Sequence, residues 1–366
     1  MEERIQTIFL KLLRSGLWGR CELPIETKLE EQDWELIYKY AISHTVEGII
    51  YDSLNFLKSY QLPPSRLLLK WSVRIDQIER HNSKMNEVIS TQYKTFTEFG
   101  LRPVLQKGQG VAYFYNNPSH RSCGDIDWYF EKNDYLKARA MIKAKNVSIR
   151  DTAGFSLSYE WDRIHIEHHK KLFDIQSPFK IKFLKNLELA YRNKHQQLLI
   201  NNVKVPILSS ELQIFQINCH ILKHLLAFGI GLRQICDSAR IYYSTISQIN
   251  KKDLKRLYKK AGILNWIHLL HDILVRYLGL PETSLPFSIP KNVNAEWMFD
   301  EIWNSGNFGF HDIRFKQGKI SKVSRQPDGV NRLWRNFKRY VKYVPQEAFF
   351  FPLIQSYSRF LGKDKD

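Results

Sequence analysis

The sequence has no apolar run approaching the roughly 20 residues that a helix needs to cross a bilayer, so no transmembrane segment is expected along its 366 residues. Cysteine is scarce. Cys21, Cys123, Cys219 and Cys236 are scattered without CxxC spacing, which argues against a disulfide framework or zinc ribbon and predicts reduced, buried thiols in a cytoplasmic protein. The opening MEERIQTIFLKLL lacks the basic n-region and small-residue cleavage site of a signal peptide, and reads as an amphipathic helix. No internal repeat or low-complexity stretch stands out. Acid is also in short supply: 37 Asp and Glu stand against 55 Lys and Arg, a net charge of +18. That excess favours an anionic partner, whether nucleotide, nucleic acid or an acidic membrane surface, and does not choose among them.

Helical periodicity dominates both ends. Residues 1–95 carry apolar positions three or four apart in ERIQTIFLKLLRSGLW, in DWELIYKYAISHTVEGIIYDSL and in the long stretch after Pro63-Pro64. Trp18, Trp34 and Trp71 sit in that register and are expected in the core. Residues 209–366 return to helix, including ELQIFQINCHILKHLLAF, LRQICDSARIYYS and the basic KKDLKRLYKKA. Near the end, Arg335, Lys338, Arg339 and Lys342 interleave with Trp334, Phe337, Tyr340 and Tyr343. That pattern suits a helix packed on the domain, with nucleic-acid or membrane contact as the rival reading.

Between them, residues 96–208 alternate as strands do. DIDWYF follows a Ser-Cys-Gly break and reads as a strand with Asp125 and Asp127 on one face, about 7 Å apart. Two such carboxylates repel unless a cation or several donors lie between them, and hard divalent metals suit that geometry. FSLSYEW and RIHIEHH read as a hairpin, with Phe155, Leu157, Tyr159 and Trp161 along one face. Its second strand puts His165, Glu167 and His169 on the face opposite Ile164 and Ile166, so Glu167 can meet the aspartates. The three histidines of that strand are set aside as metal ligands, because a phosphate site normally holds magnesium, which prefers oxygen. QQLLI and VKVPIL form a second hairpin through Asn201-Asn202. Upstream, Lys107-Gly108-Gln109-Gly110 is a glycine turn opening a helix, where free backbone N–H groups can hold phosphate. Later, His220 and His224 share a helix face with Lys223 beside them, a polar stripe or a nucleotide or acceptor contact. Arg233 and Asp237 stand at i and i+4 and are expected to pair.

Taken together, the glycine turn, the arginine, the Gly-Asp-x-Asp strand and the later strand acid resemble the polymerase β-like nucleotidyltransferase superfamily. Within it the chain resembles a poorly characterised bacterial nucleotidyltransferase family, through Lys107-Gly108, Arg121-Ser-Cys-Gly124-Asp125-Ile126-Asp127 and His165-Ile-Glu167-His168. Leu208-Ser-Ser-Glu211, His220-Ile-Leu-Lys223-His224 and Gly231-Leu-Arg233-Gln-Ile-Cys-Asp237 extend the likeness over most of the chain. One departure is Gln109, where the superfamily often has serine after the glycine. The resemblance implies an α+β fold, a small mixed β-sheet nucleotidyltransferase core at 96–208 flanked by N-terminal (1–95) and C-terminal (209–366) helical regions. It also implies metal-dependent transfer of a nucleoside monophosphate from ATP or another NTP to an acceptor hydroxyl or phosphate. Asp125, Asp127 and Glu167 are then the catalytic acids holding two Mg²⁺ or Mn²⁺ ions. Lys107, Gly108, Gln109, Arg121 and Gly124 bind the nucleotide, and His220, Lys223, His224, Arg233 and Asp237 contact substrate. The acceptor stays open among a small molecule, a sugar phosphate and a protein, with nucleic acid a weak partner. The alternative is a non-catalytic protein of the same fold that holds nucleic acid or a protein partner, against which an intact acid trio argues.

Overall fold

The computed structural model describes residues 2–152, 156–227, 229–310, 312 and 329–360. Four helices open the chain: α1 (Glu2–Trp18), α2 (Glu31–Ser43), α3 (Glu47–Ser53) and α4 (Ser65–Glu98). In α1, Ile5, Ile8, Phe9, Leu12 and Leu13 recur every three or four residues and are buried. The helix crosses α3 so closely that a Cβ on Gly16 would stand 1.8 Å from the Ile49 carbonyl oxygen. The single helix expected over DWELIYKYAISHTVEGIIYDSL is instead broken between α2 and α3. Thr45 takes φ +54 and the Val46 N–H returns to the Ala41 carbonyl. The turn presents the next helix edge-on, and Gly48 backs against the carbonyl of His120.

The sheet follows. β1 (Val104–Gln106) runs into the short α5 (Lys107–Ala112), and β2 (Asp125–Tyr129) leads through α6 (Lys132–Ala144) to β3 (Arg150–Thr152), β4 (Ser156–Trp161) and β5 (Ile164–His169). After α7 (Ile181–Tyr191), β6 (His195–Ile200) and β7 (Val203–Leu208) complete it. The seven strands stand in the order β3-β4-β5-β2-β1-β7-β6. The β2–β5 and β1–β7 pairs are parallel and the rest antiparallel, so the sheet is mixed. Both expected hairpins form, with positive φ at Asp162 and Arg163 in one turn and at Asn201 and Asn202 in the other. Phe155, expected on one face of the first hairpin with Leu157, Tyr159 and Trp161, lies outside the described residues.

The remaining helices are α8 (Ser210–Ala227), α9 (Leu232–Thr245), α10 (Lys251–Ala261), α11 (Leu264–Arg276), α12 (Glu296–Ser305), α13 (Gly329–Tyr340) and α14 (Pro345–Phe360). Two apolar cores result. One joins the N-terminal helices to the C-terminal ones, and the other lies between one face of the sheet and the later half of α4 with α6. In the second, Phe96 packs edge-on against Trp128 and Phe130. Trp34 and Trp71 are fully buried. On α13, Tyr340 is buried and Asn336 donates to the Leu225 and Leu226 carbonyls, which fixes the helix on α8. Trp334 departs from the expected buried stripe: it is 60% exposed and stacks on Phe337. All four cysteines are free.

Candidate functional site

One face of the sheet is polar because β2 and β5 lie side by side in a register that aligns their acids. Asp127 stands opposite Glu167 and Asp125 opposite His165. Strand alternation sends Ile126, Trp128, Ile166 and His168 to the other face, where all four are buried. His168 donates to or accepts from the Tyr159 hydroxyl at 2.9 Å through Nε2. Burial pushes its pKa down to about 3, so it is a neutral core residue.

Asp127 is the hub of the polar face. It is 2% exposed, and its Oδ1 lies 2.9 Å from Lys107 Nζ and 2.6 Å from His169 Nε2. His169 Nε2 is also 3.2 Å from Glu167 Oε2, so one imidazole bridges the two acids. Asp127, Glu167 and His169 can place one ligand atom each within 4.8 Å of one another. His169, set aside as a metal ligand, is nonetheless part of the site: it shares the face of the acids, as strand alternation predicts, and bonds both of them. Burial and Lys107 push the His169 pKa down, but the bonds to Asp127 and Glu167 push harder and raise it to about 9. Burial likewise opposes ionisation of Asp127 and Glu167. Lys107 and His169 outweigh it at Asp127, and His165 and His169 at Glu167, so both stay ionised.

Asp125 differs. Burial, then the charges of Asp127 and Glu167, raise its pKa to about 6, and it makes no salt bridge among the described residues. An unpaired carboxylate beside two ionised ones is a charge imbalance that a divalent cation would relieve, so this donor set fits one.

The glycine turn adjoins these acids. Lys107 and Gly108 both take positive φ, +43 and +34, and a Cβ at Gly108 would stand 3.2 Å from the Asp125 carbonyl oxygen. The turn thus needs glycine both for its backbone and for its closeness to β2. Gln109 does not present its side chain to the site, since its amide donates to Asn82 Oδ1 at 3.0 Å within the interior. Gly124 is exposed at the entry to β2.

Asp237 takes a different arginine from the one expected. Arg121 is 2% exposed, and its guanidinium forks onto Asp237, Nε to Oδ1 at 2.8 Å and Nη2 to Oδ2 at 2.7 Å. The Tyr115 hydroxyl donates to the same carboxylate at 2.7 Å. Both Arg121 and Asp237 are therefore spent on the interior, and the expected Arg233–Asp237 pair does not form. Arg233 reaches Thr45 Oγ1 at 3.1 Å instead, half-buried, and its charge acts on Asp125.

A second polar chain adjoins the first. Asp174, in the coil after β5, accepts from His220 Nδ1 at 2.8 Å and lies 3.4 Å from Lys223 Nζ. Burial, then Lys107, pushes the His220 pKa down to about 4, and burial with His220 pushes His224 lower than its usual value. Both rings are neutral, so the 3.1 Å contact between their Nε2 atoms fixes the tautomers. His220 carries its proton on Nδ1, and His224 donates from Nε2. That leaves His224 Nδ1 buried without a partner among the described residues. Lys107 and Asp174 each shift the other's titration, which ties this chain to the acid cluster. Asp174 follows a strand, in a coil where no period marks it, and periodicity could not have found it.

Residues 30–279 match the family model described as "Uncharacterised nucleotidyltransferase". No curated protein matches the chain. Among solved structures, it is similar to an antigenic nucleotidyltransferase-like protein from Paracoccidioides brasiliensis. The identity is 14%, the TM-score 0.32, and the match covers 48% of this chain and 87% of that one.

Proposed function

The chain belongs to this family of uncharacterised nucleotidyltransferases, and on that premise we propose that it moves a nucleoside monophosphate from an NTP to an acceptor hydroxyl or phosphate, with a divalent cation. The observation that carries the reading is the parallel β2–β5 register, which opposes Asp127 to Glu167 with Asp125 two residues earlier on the same polar face.

In the proposed reaction an acceptor oxygen attacks the α-phosphorus. The new O–P bond forms as the bond to the bridging oxygen of the β-phosphate breaks, and pyrophosphate leaves with that electron pair. Asp125, Asp127 and Glu167 would hold two Mg²⁺ or Mn²⁺ ions, which when bound would offset triphosphate charge and lower the pKa of the acceptor hydroxyl. Glu167 lies at the open end of the Asp127–His169–Glu167 cluster and receives the acceptor's proton. The backbone of residues 107–109 takes the triphosphate beside Asp125, and Lys107 steadies Asp127. Arg233 replaces Arg121 as the guanidinium that meets phosphate oxygens, because its charge acts on Asp125 whereas the Arg121 guanidinium is held by Asp237. His220 is held in one tautomer by Asp174 and, with Lys223, borders the acceptor.

The test is incubation with each α-labelled NTP, Mg²⁺ or Mn²⁺, and a cell extract supplying acceptors. Transfer of label to one extract component, lost with chelator and with Asp127→Asn, is the expected result. Absence of metal-dependent NTP binding and of any labelled product would leave a binding protein built on the same fold.

A further inference from the structure

A basic and apolar face lies where the start of α7, the end of α10 and the start of α14 meet. The meeting is tight. Lys180 lies against Gly262, the Ser177 hydroxyl bonds Gln346 at 3.1 Å, and the Phe179 and Phe350 rings stand 5.7 Å apart, edge to face. Around this junction large apolar side chains face solvent. Phe179 is 73% exposed, Ile181 55%, Leu189 58%, Phe349 52% and Leu353 50%. Ile181, Lys185 and Leu189 stand four residues apart on α7 and so share one face, as Phe349 and Leu353 do on α14. Scattered exposed apolar residues are ordinary, but a cluster at one junction marks a contact surface.

The same face carries Lys182, Lys185, Lys259 and Lys260, all exposed, with Lys180 half-buried among them. The nearest acids bond backbone groups inward, while Lys185 still acts on Glu188 and Lys180 on Glu347, so only part of the lysine charge is offset. Glu188 accepts from the Leu172 N–H at 3.0 Å, and Glu347 is 3% exposed and accepts from the N–H groups of Gln176 and Ser177. Lysines ringing exposed aliphatic and aromatic side chains complement an anionic, partly apolar partner.

We propose that this face docks the protein on the surface of an anionic lipid bilayer, with Phe179, Ile181 and Phe349 entering the headgroup boundary and the lysines meeting lipid phosphates and carboxylates. Two features favour lipid over nucleic acid. Ile181, Leu189 and Leu353 cannot stack on bases, whereas acyl chains accept them. The described cations at the junction itself are lysines, point charges that suit a diffuse anionic surface. Among the described residues no helix is long and apolar enough to cross a membrane, so the attachment is peripheral. The inference stands apart from the transfer reaction and survives its failure.

The test is flotation of the full chain with vesicles of phosphatidylcholine alone, and with about one third phosphatidylserine added. Binding to the anionic vesicles only, weakening as salt rises, is the expected result. Phe179→Ser with Phe349→Ser keeps every charge and should lower partition about tenfold, since these side chains supply the insertion. Lys182→Gln with Lys185→Gln should cost about fivefold per lysine, whereas Lys94→Gln with Lys137→Gln, equal in charge and placed elsewhere, should cost much less. No binding to anionic vesicles overturns the proposal. So does binding that ignores the Phe179 and Phe349 changes, or that falls equally with the control lysines, since net charge alone then explains it. Tight oligonucleotide binding that falls with the patch variants, without vesicle binding, assigns the face to nucleic acid instead. All the altered side chains are exposed, and thermal melting confirms that the variants fold.

Discussion

At the scale of single residues, Asp127 separates chemistry from folding. It stands between two cations and two further acids, so Asp127→Asn keeps the shape and removes the charge on which Lys107 and His169 converge. Transfer should fall by roughly 100-fold or more, while stability changes by only about 1–3 kcal/mol, because lost attraction is partly offset by relief of repulsion from Asp125 and Glu167. Activity and thermal melting measured on the same preparation check both. The two arginines should behave oppositely. Arg121→Ala leaves a buried Asp237 carboxylate unpaired and should cost about 3–5 kcal/mol, read as a lowered denaturation midpoint. Arg233→Ala should leave the midpoint nearly unchanged and weaken NTP binding. If Arg121→Ala instead melts normally and only loses NTP affinity, the roles assigned here are reversed. The sequence could not distinguish these arginines, since the acid that captures Arg121 lies 116 positions away. The face shared by Asp125, Asp127, Glu167 and His169 was legible from strand alternation alone. That His169 also bonds Asp127 is visible only through the register of β5 beside β2.

Among elements, what could be read was local. Helical spacing marked α1, α4 and α8, and paired asparagines marked the β6–β7 turn, because propensity and turn chemistry act over a few residues. The break at Thr45 was hidden, since its cause is the packing of α3 on the segment around His120. That segment is held by charge as well as fit. His120 Nδ1 lies 2.6 Å from Asp52 Oδ1 and Nε2 3.0 Å from Glu79 Oε1, which ties α3 to α4. Burial pushes its pKa down, but the bonds to the two acids push harder and the net shift is upward. A raised folded-state pKa contributes stability that is fully present below the unfolded value, about 6.5, and is lost as pH rises through the folded value. The stability gap between wild type and His120→Gln should therefore be wider at about pH 6 than at about pH 9, as denaturant titrations at the two pH values would show. A gap that grows with pH would contradict this. Backbone contact at the same place is less forgiving. A Cβ at Gly48 would stand 2.0 Å from the His120 carbonyl oxygen, so Gly48→Ala must push α3 off its seat and should cost about 3 kcal/mol. A Gly48→Ala protein with the wild-type midpoint would show that the helix can shift freely.

For the whole molecule, the net charge of +18 predicts oligonucleotide association that is weak and falls by orders of magnitude between about 50 and 200 mM salt, through counterion release. NTP held with metal beside buried acids should survive that range, because screening reaches such a site less well. Paired titrations across salt measure both, and oligonucleotide binding that stays tight at the upper end would favour a nucleic-acid binder. The molecule is also stitched together across the edges of its family match, residues 30–279. From before that span, Arg14 donates to the carbonyls of Arg276 and Tyr277, and the Trp18 indole donates to that of Leu278 at 2.6 Å. From beyond it, Glu347 grips the backbone at Gln176 and Ser177, two and three residues past Asp174. A protein cut to the matched span would lose Ile5, Phe9, Leu12 and Leu13 from the core and leave these backbone groups without their side-chain partners. It should emerge as an aggregating fragment with protease-sensitive ends. Recombination that exchanged the matched segment of this chain alone would accordingly transplant a piece whose fastenings remain behind.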